Sequence, residues 1–280
     1  MNKYLPSFNM DLSVIIVSYN TKKLTEAALK SVLKEKVNLN LEIVVIDNNS
    51  EDGSLEMLKR YEKRNLITLV KNNRNTGFSF ANNQGIRVAK GKHVLLLNSD
   101  TYAKKDSLKK LVEFADSHKD AGVVTSELLN ADGSIQPSCF HFPTAKNAIL
   151  EFWLGKKGLF EEYSPKTKNA KVVDAAVGAS FLMTQKALKE VGMLDEKYFF
   201  YFEDIDYCRR VKQAGLKVYF LPSSKVIHYH GASGKKIADP ENQWRRLVPS
   251  SKIYHGLLGH YLVTAIILTG QKVRAFLKNA

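Results

Sequence analysis

Four groups of side chains have the types and spacing to do chemistry. Asp100 closes the run Leu95-Leu96-Leu97-Asn98-Ser99-Asp100. A carboxylate just past a buried strand can ligate Mg²⁺ or Mn²⁺, which prefer hard oxygen ligands. It can equally cap the next helix, and so can Ser99. Asp47-Asn48-Asn49-Ser50 follows a second apolar run. Such residues hydrogen-bond a base or ribose hydroxyl, or make Asx turns and caps. Glu203, Asp204 and Asp206 put three carboxylates in four residues. Acids suit a helix start, but these emerge from the apolar run Tyr198–Phe202, where one can serve as a general base. The helix dipole lowers such a pKa, and apolar surroundings or a neighbouring acid raise it. His228 and His230 sit two apart on an extended segment and so point the same way. One can complete a metal shell, or both can be structural.

The elements that must position these groups follow from periodicity. Leu12–Val17, Leu41–Ile46, Ile67–Val70 and Val94–Leu97 are short, β-branched apolar runs, predicted as buried strands. Helices are expected over 22–33, from Leu55 through Tyr61, over 78–89, and from Leu108 through Ala115. Val123–Leu128 reads as a strand, and Ala131-Asp132-Gly133-Ser134 as a hairpin turn. Residues 137–172 carry three prolines, an aromatic cluster and many lysines. They read as a mobile connection over the active site. Beyond it come a strand interrupted at Gly178, a short helix over 185–191, a helix carrying Ile205, Cys208 and Val211, and two short strands, Val218–Leu221 and Lys225–Ile227. Alternating strands and helices at this pitch predict an α/β domain with a mostly parallel, Rossmann-like sheet. Ligands bind at the carboxyl ends of such strands, where Asp47 and Asp100 fall.

The 280 residues suffice for one large domain plus an appendage. The expected division is 1–240 as the catalytic domain and 241–280 as a basic, apolar helical extension. No Asp or Glu occurs after Glu241, and Arg245, Arg246, Lys252, Lys272, Arg274 and Lys278 flank the apolar stretch 256–270. That stretch is shorter than a bilayer span. It suits a helix lying on a membrane surface, or one docked on the protein's own core. The opening residues do not read as a signal peptide. Two cysteines without metal-ligand spacing fit a reducing, cytoplasmic compartment. The net charge of +14 invites nucleic acid, an anionic membrane or a phosphorylated substrate.

In order, SVIIVSYN (13–20), EIVVIDNNSEDGS (42–54), NRNTGFSFANNQG (73–85), VLLLNSDT (94–101), VGASFLMT (177–184), FFYFEDIDYCRRVKQAG (199–215) and VIHYHGASG (226–234) resemble family 2 glycosyltransferases of the GT-A fold, especially the rhamnosyltransferase-like branch. The likeness covers about residues 11 to 234. It implies that Tyr19, Asp47, Asn48, Gly77, Phe78, Asn82, Asn83, Asn98 and Ser99 hold the nucleotide. It implies that Gly178 and Ala179 leave room for the sugar. Asp100 matches the last residue of the family's D-x-D motif and, with His228 (His230 as fallback), would ligate Mg²⁺ or Mn²⁺. Asn98 replaces the first carboxylate. Asp204, with Glu203 beside it, would be the base of an inverting displacement. The implied donor is dTDP-rhamnose or a UDP-sugar, and the implied acceptor a glycan or lipid-linked molecule of cell-surface polysaccharide synthesis. The enzyme would work at the inner face of the cytoplasmic membrane, touching it through the C-terminus.

Two rivals are weighed against this. A sugar nucleotidyltransferase would carry a glycine-rich, arginine-containing loop directly after the first strand, where this chain has SYNTKK. A basic nucleic-acid-binding protein is motivated by charge alone, and no such motif is present. The chain lacks G-x-G-x-x-G after the first strand and a P-loop. Nothing in the sequence sets an oligomeric state.

Overall fold

A computed structural model describes residues 10–229 and 244–279. The opening residues, His230, Gly231, Ser233 and the start of the extension lie outside the described residues. In chain order the elements are β1 (Met10–Ser18), α1 (Lys22–Glu35), β2 (Leu41–Asp47), α2 (Ser54–Lys63), β3 (Thr68–Lys71), α3 (Phe78–Val88), β4 (Gly91–Leu97), β5 (Thr101–Ala103), α4 (Ser107–Ser117) and β6 (Ala121–Leu129). Then come β7 (Ile135–Gln136), β8 (Cys139–Phe140), α5 (Ala145–Ala148) running into a π-helical turn (Ile149–Trp153), β9 (Lys171–Val173) and β10 (Ala175–Ala176). Last are β11 (Ser180–Met183), α6 (Gln185–Glu190), α7 (Glu203–Gln213), β12 (Lys217–His228) and α8 (Trp244–Asn279).

The main sheet runs β3-β2-β1-β4-β11-β6-β12-β5. Its first half is parallel. β11 enters antiparallel between β4 and β6, and β6 and β12 are parallel again. The apolar runs are continuous because both faces are covered. Leu12, Val14 and Ile16 face one core with Leu29, Leu58 and Leu111 of α1, α2 and α4. Ile15, Val44 and Leu96 face the other with Ala81, Ala187 and Cys208 of α3, α6 and α7. The period of two in a strand sends neighbours to opposite layers.

Three expectations change. The two short strands near 218–227 are one strand, β12, with a register shift between Leu221 and Lys225. Pro222 sits in that shift, where a missing N–H costs the ladder least. The 137–172 region holds β8, α5 and the π-helical turn, and it packs on α8: the Trp153 indole donates to the Ile266 carbonyl at 3.0 Å. It is an ordered buttress of the C-terminal helix. Finally, the C-terminal helix extends well past residue 270 and, over Arg245–Phe276, is long and apolar enough to cross a membrane by length and composition. Gly256, at φ +71°, breaks it into two helical pieces.

Candidate active site

The parallel half of the sheet decides what meets at its carboxyl edge. β1 lies between β2 and β4, so their C-terminal residues stand side by side. Asn20 and Asn49, just past β1 and β2, take left-handed backbone at φ +53° and +68°. Asparagine tolerates that region better than most residues. An open cleft lies over this edge, lined among others by Tyr19, Asn48, Gly77, Phe78, Asn98 and Ser99. Six of the nine residues expected to hold the nucleotide therefore share one cavity.

Asn48 is the hub of one wall. Its Oδ1 accepts from the Thr76 amide, the Thr76 hydroxyl and Asn72 Nδ2, all at 3.0 Å, while its Nδ2 donates to Asn75 Oδ1 at 2.9 Å. These bonds fix the 72–77 loop to the end of β2. Gly77 then turns at φ +83°, and a Cβ there would lie 2.5 Å from the Phe199 carbonyl. The Phe78 amide donates to that same carbonyl at 2.7 Å. Phe199 and Phe200 thereby become the opposite wall.

The remaining expected nucleotide residues do not line the cleft. Asp47 is buried beneath it, accepting from the Ser50 amide at 3.2 Å, and its Oδ1 has no hydrogen-bond partner among the described residues. Burial pushes its carboxyl above the usual range. Asn82 is buried and donates to the Phe78 carbonyl of its own helix at 2.9 Å. Asn83 is engaged within the fold. Its amide donates to the Leu194 carbonyl (2.9 Å) and Glu196 (3.0 Å), and its Oδ1 accepts from the Leu194 amide (3.1 Å). Three of the four hydrogen bonds its amide can make tie α3 to the 194–196 turn.

The carboxylates at the start of α7 follow two consecutive non-glycine residues in left-handed backbone, Tyr201 (φ +72°) and Phe202 (φ +70°). Each costs about 1–3 kcal/mol. The distortion turns Asp204 to accept from the Gly178 amide (3.0 Å, Oδ2) and the Ile205 amide (2.8 Å, Oδ1). Gly178 leaves a gap between Asp204 and the cleft: a Cβ there would lie 3.5 Å from the Phe78 ring and 3.8 Å from Asp204 Cβ. Ala179 is buried, and its carbonyl accepts from the Asn98 amide at 3.0 Å, joining β11 to the end of β4. Burial raises Asp204 to about 6 against its two amide bonds. Burial, and then the Asp204 charge, push Glu203 well above the carboxylate range. Glu203 Oε2 has no hydrogen-bond partner among the described residues. Asp206 is different: it pairs with Arg209 (2.7 Å) and Arg210 (2.9 Å) and serves the packing of α7.

Asp100 and His228 come together because β5 pairs antiparallel with β12, and the Tyr229 amide donates to the Asp100 carbonyl at 2.9 Å. His228 Nε2 lies 3.5 Å from Asp100 Oδ1. Gln136, absent from the sequence-based assignments, sets the ring. Its Nε2 donates to Asn130 Oδ1 (3.0 Å) and the His228 carbonyl (3.4 Å), so its Oε1 faces the imidazole. His228 Nδ1 donates to that oxygen at 2.8 Å, which turns Nε2 toward the carboxylate. A nitrogen and a hard oxygen so placed fit a divalent ion. Among the described residues no three His, Cys, Asp or Glu side chains converge.

Comparison with known proteins places this arrangement. Residues 13–141, from β1 to just past β8, match the model for Glycosyl transferase family 2. The dTDP-rhamnosyl transferase RfbF of Shigella flexneri is 28% identical over 233 residues, 82% of this chain and 72% of that protein. The chain is a glycosyltransferase that resembles family 2 over its first half. The low-salt glycan biosynthesis hexosyltransferase Agl10 of Haloferax volcanii is 27% identical over 78% of this glycosyltransferase and 67% of its own length. The fold is GT-A, shared with S. aureus TarS 1-349 (TM-score 0.60, 16% identity, 97% and 92% of the two chains). It is shared too with the mannosyltransferase PcManGT of Pyrobaculum calidifontis, solved with GDP-Man and Mn²⁺ (TM-score 0.59, 16% identity, 95% and 78%). A sugar transferase sets aside the nucleotidyltransferase and nucleic-acid readings.

Proposed function

We propose that this glycosyltransferase moves a sugar from a nucleoside-diphosphate donor to a hydroxyl of a glycan or lipid-linked acceptor, with inversion. The observation that carries the reading is Asp204: a carboxylate held by two amides, raised to about 6, and beside Gly178, which itself sits against the Phe78 ring of the cleft wall. A base is most effective with its pKa near the working pH.

In this reading Tyr19, Gly77, Phe78, Asn98, Ser99 and the Phe199–Phe200 wall hold the nucleotide over the strand ends, and Asp47 anchors its floor. Asp204 takes the proton of the acceptor hydroxyl. The freed oxygen bonds to the anomeric carbon from the side opposite the diphosphate, and the carbon–diphosphate bond breaks. Asp100 and His228 would hold Mg²⁺ or Mn²⁺, which would supply positive charge for the departing diphosphate. Glu203, neutral when its raised pKa keeps it protonated, adds no second negative charge beside the base.

A relative named as a dTDP-rhamnosyl transferase favours dTDP-rhamnose as donor, with a UDP-hexose next, and the reading places the transfer in cell-surface polysaccharide synthesis. The basic, acid-free C-terminus fits work at the inner face of the cytoplasmic membrane, with α8 in peripheral contact. Thermal-shift titration with dTDP-, UDP- and GDP-sugars, each with Mg²⁺ or Mn²⁺, tests the donor class. A metal-dependent rise in Tm with one nucleotide sugar supports it. No shift with any of them contradicts it.

A further inference from the structure

Of the seventeen exposed large apolar side chains among the described residues, three lie on residues 149–154 and eight on residues 253–276. These segments are neighbours. Trp153 donates to the Ile266 carbonyl, and Gly270 packs so close to Phe152 that a Cβ would lie 2.7 Å from its carbonyl. The clamp uses one helical face: His260, Val263 and Gly270 are buried at spacings of three and seven. The opposite face carries Leu258 (86% exposed), Tyr261, Leu262 and Phe276 (73%). Leu154 (71%) and Trp153 (48%) extend the same apolar area onto the π-helical turn.

Charge and geometry name the occupant. Lys156 and Lys157 follow Leu154, and Lys252, Lys272 and Arg274 lie along α8, which has no acid. In the buttress, Glu151 turns inward to accept from the Leu159 (2.6 Å) and Phe160 (2.8 Å) amides. Apolar side chains with a tryptophan and surrounding cations fit the interface of an anionic bilayer. Crossing the bilayer would strip α8 from the 144–156 segment and leave the Trp153 indole without its carbonyl.

We infer that the 149–157 segment and the outer face of α8 form one composite surface that lies in the plane of an anionic membrane. This rests on the peripheral-contact reading and adds to it a second docking element, the Trp153–Leu154 wedge. Docking would hold the cleft at a fixed height, because α8 also grips its wall. Ser250 Oγ donates to the Phe200 carbonyl at 2.9 Å, and Arg246 stands 4.3 Å from the Phe199 ring centre.

The test uses the full chain and phosphatidylcholine vesicles with about one-third phosphatidylglycerol. Leu154→Glu and Leu258→Glu change exposed side chains and leave the core untouched. Each is expected to weaken vesicle binding at least about tenfold. In a Trp244→Phe background Trp153 is the sole tryptophan, and its emission should shift to the blue on vesicle addition. Alkaline carbonate should release the protein. If Leu258→Glu loses binding while Leu154→Glu binds normally and Trp153 emission stays put, the composite surface is overturned and helix-only contact stands. If the unaltered protein ignores the vesicles, the peripheral-contact reading falls with it. Retention through carbonate means a spanning helix and overturns the in-plane surface.

Discussion

The Gly178 amide donates to Asp204 Oδ2 at 3.0 Å, and the absence of a side chain on Gly178 leaves room between Asp204 and the Phe78 ring. The bond favours the charged carboxylate, and burial opposes it and prevails, leaving Asp204 at about 6. A base must be deprotonated to act. Transfer is therefore expected to fall about tenfold per pH unit below a limb near 6 and to level off above it. A kcat–pH profile at saturating substrates checks this. An unperturbed limb near 4 would reject the buried environment.

Glu203 makes a stability prediction of opposite flavour. Its folded pKa lies well above its ordinary 4.5. Between those values the native state binds the extra proton, so stability falls as pH rises through that window. Glu203→Gln removes the titration and keeps the shape. It should raise Tm by at least about 2 °C at pH 7.5 and leave it nearly unchanged at pH 4.5. Melting curves at the two pH values decide.

Asn83 separates scaffold from site. Asn83→Ala strips three bonds from the 194–196 turn and leaves buried Leu194 groups unpaired. Tm should drop by roughly 3–8 °C. Donor Kd at a temperature well below the transition should stay within about threefold, as expected of a residue away from the ligand. Calorimetric titration measures it, and a large loss of affinity would return Asn83 to the nucleotide pocket.

The Asp100–His228 pair predicts how metal removal behaves. Chelation should abolish transfer, and Mn²⁺ or Mg²⁺ should restore it. Asp100→Ala should resist restoration. Gln136→Ala leaves both ligands but frees the imidazole ring, so the metal concentration for half-activation should rise about tenfold or more. Activation curves for the three proteins test this, and an unchanged curve for Gln136→Ala would remove its orienting role.

Much of this arrangement is legible in sequence because parallel strands put their ends together. Asp47, Asn98 and Asp100 each follow an apolar run, and the sheet order β2-β1-β4 brings the ends of those runs to one edge with only β1 between them. What is illegible depends on distant pairing. Gln136 meets a histidine 92 residues away. Ser250 grips a carbonyl 50 residues back, which no local pattern announces. Asn83 has the composition of a ligand-binding residue, and only the fold reveals that the Leu194 backbone occupies it. The prolines and lysines of 137–172 suggest a loose connection, yet Glu151 caps two amides and Trp153 holds α8. The two left-handed residues before Glu203 leave no compositional trace, since Tyr201 and Phe202 are among the residues least expected there.

Asp204 as the base of sugar transfer is open to one decisive comparison. The direct measurement is single-turnover transfer beside donor Kd for the unaltered protein and Asp204→Asn, at one metal concentration, with Tm confirming the fold. Asp204→Asn is expected to lower the rate at least about 10²-fold, with donor Kd within about threefold. Transfer by Asp204→Asn at the unaltered rate would contradict it.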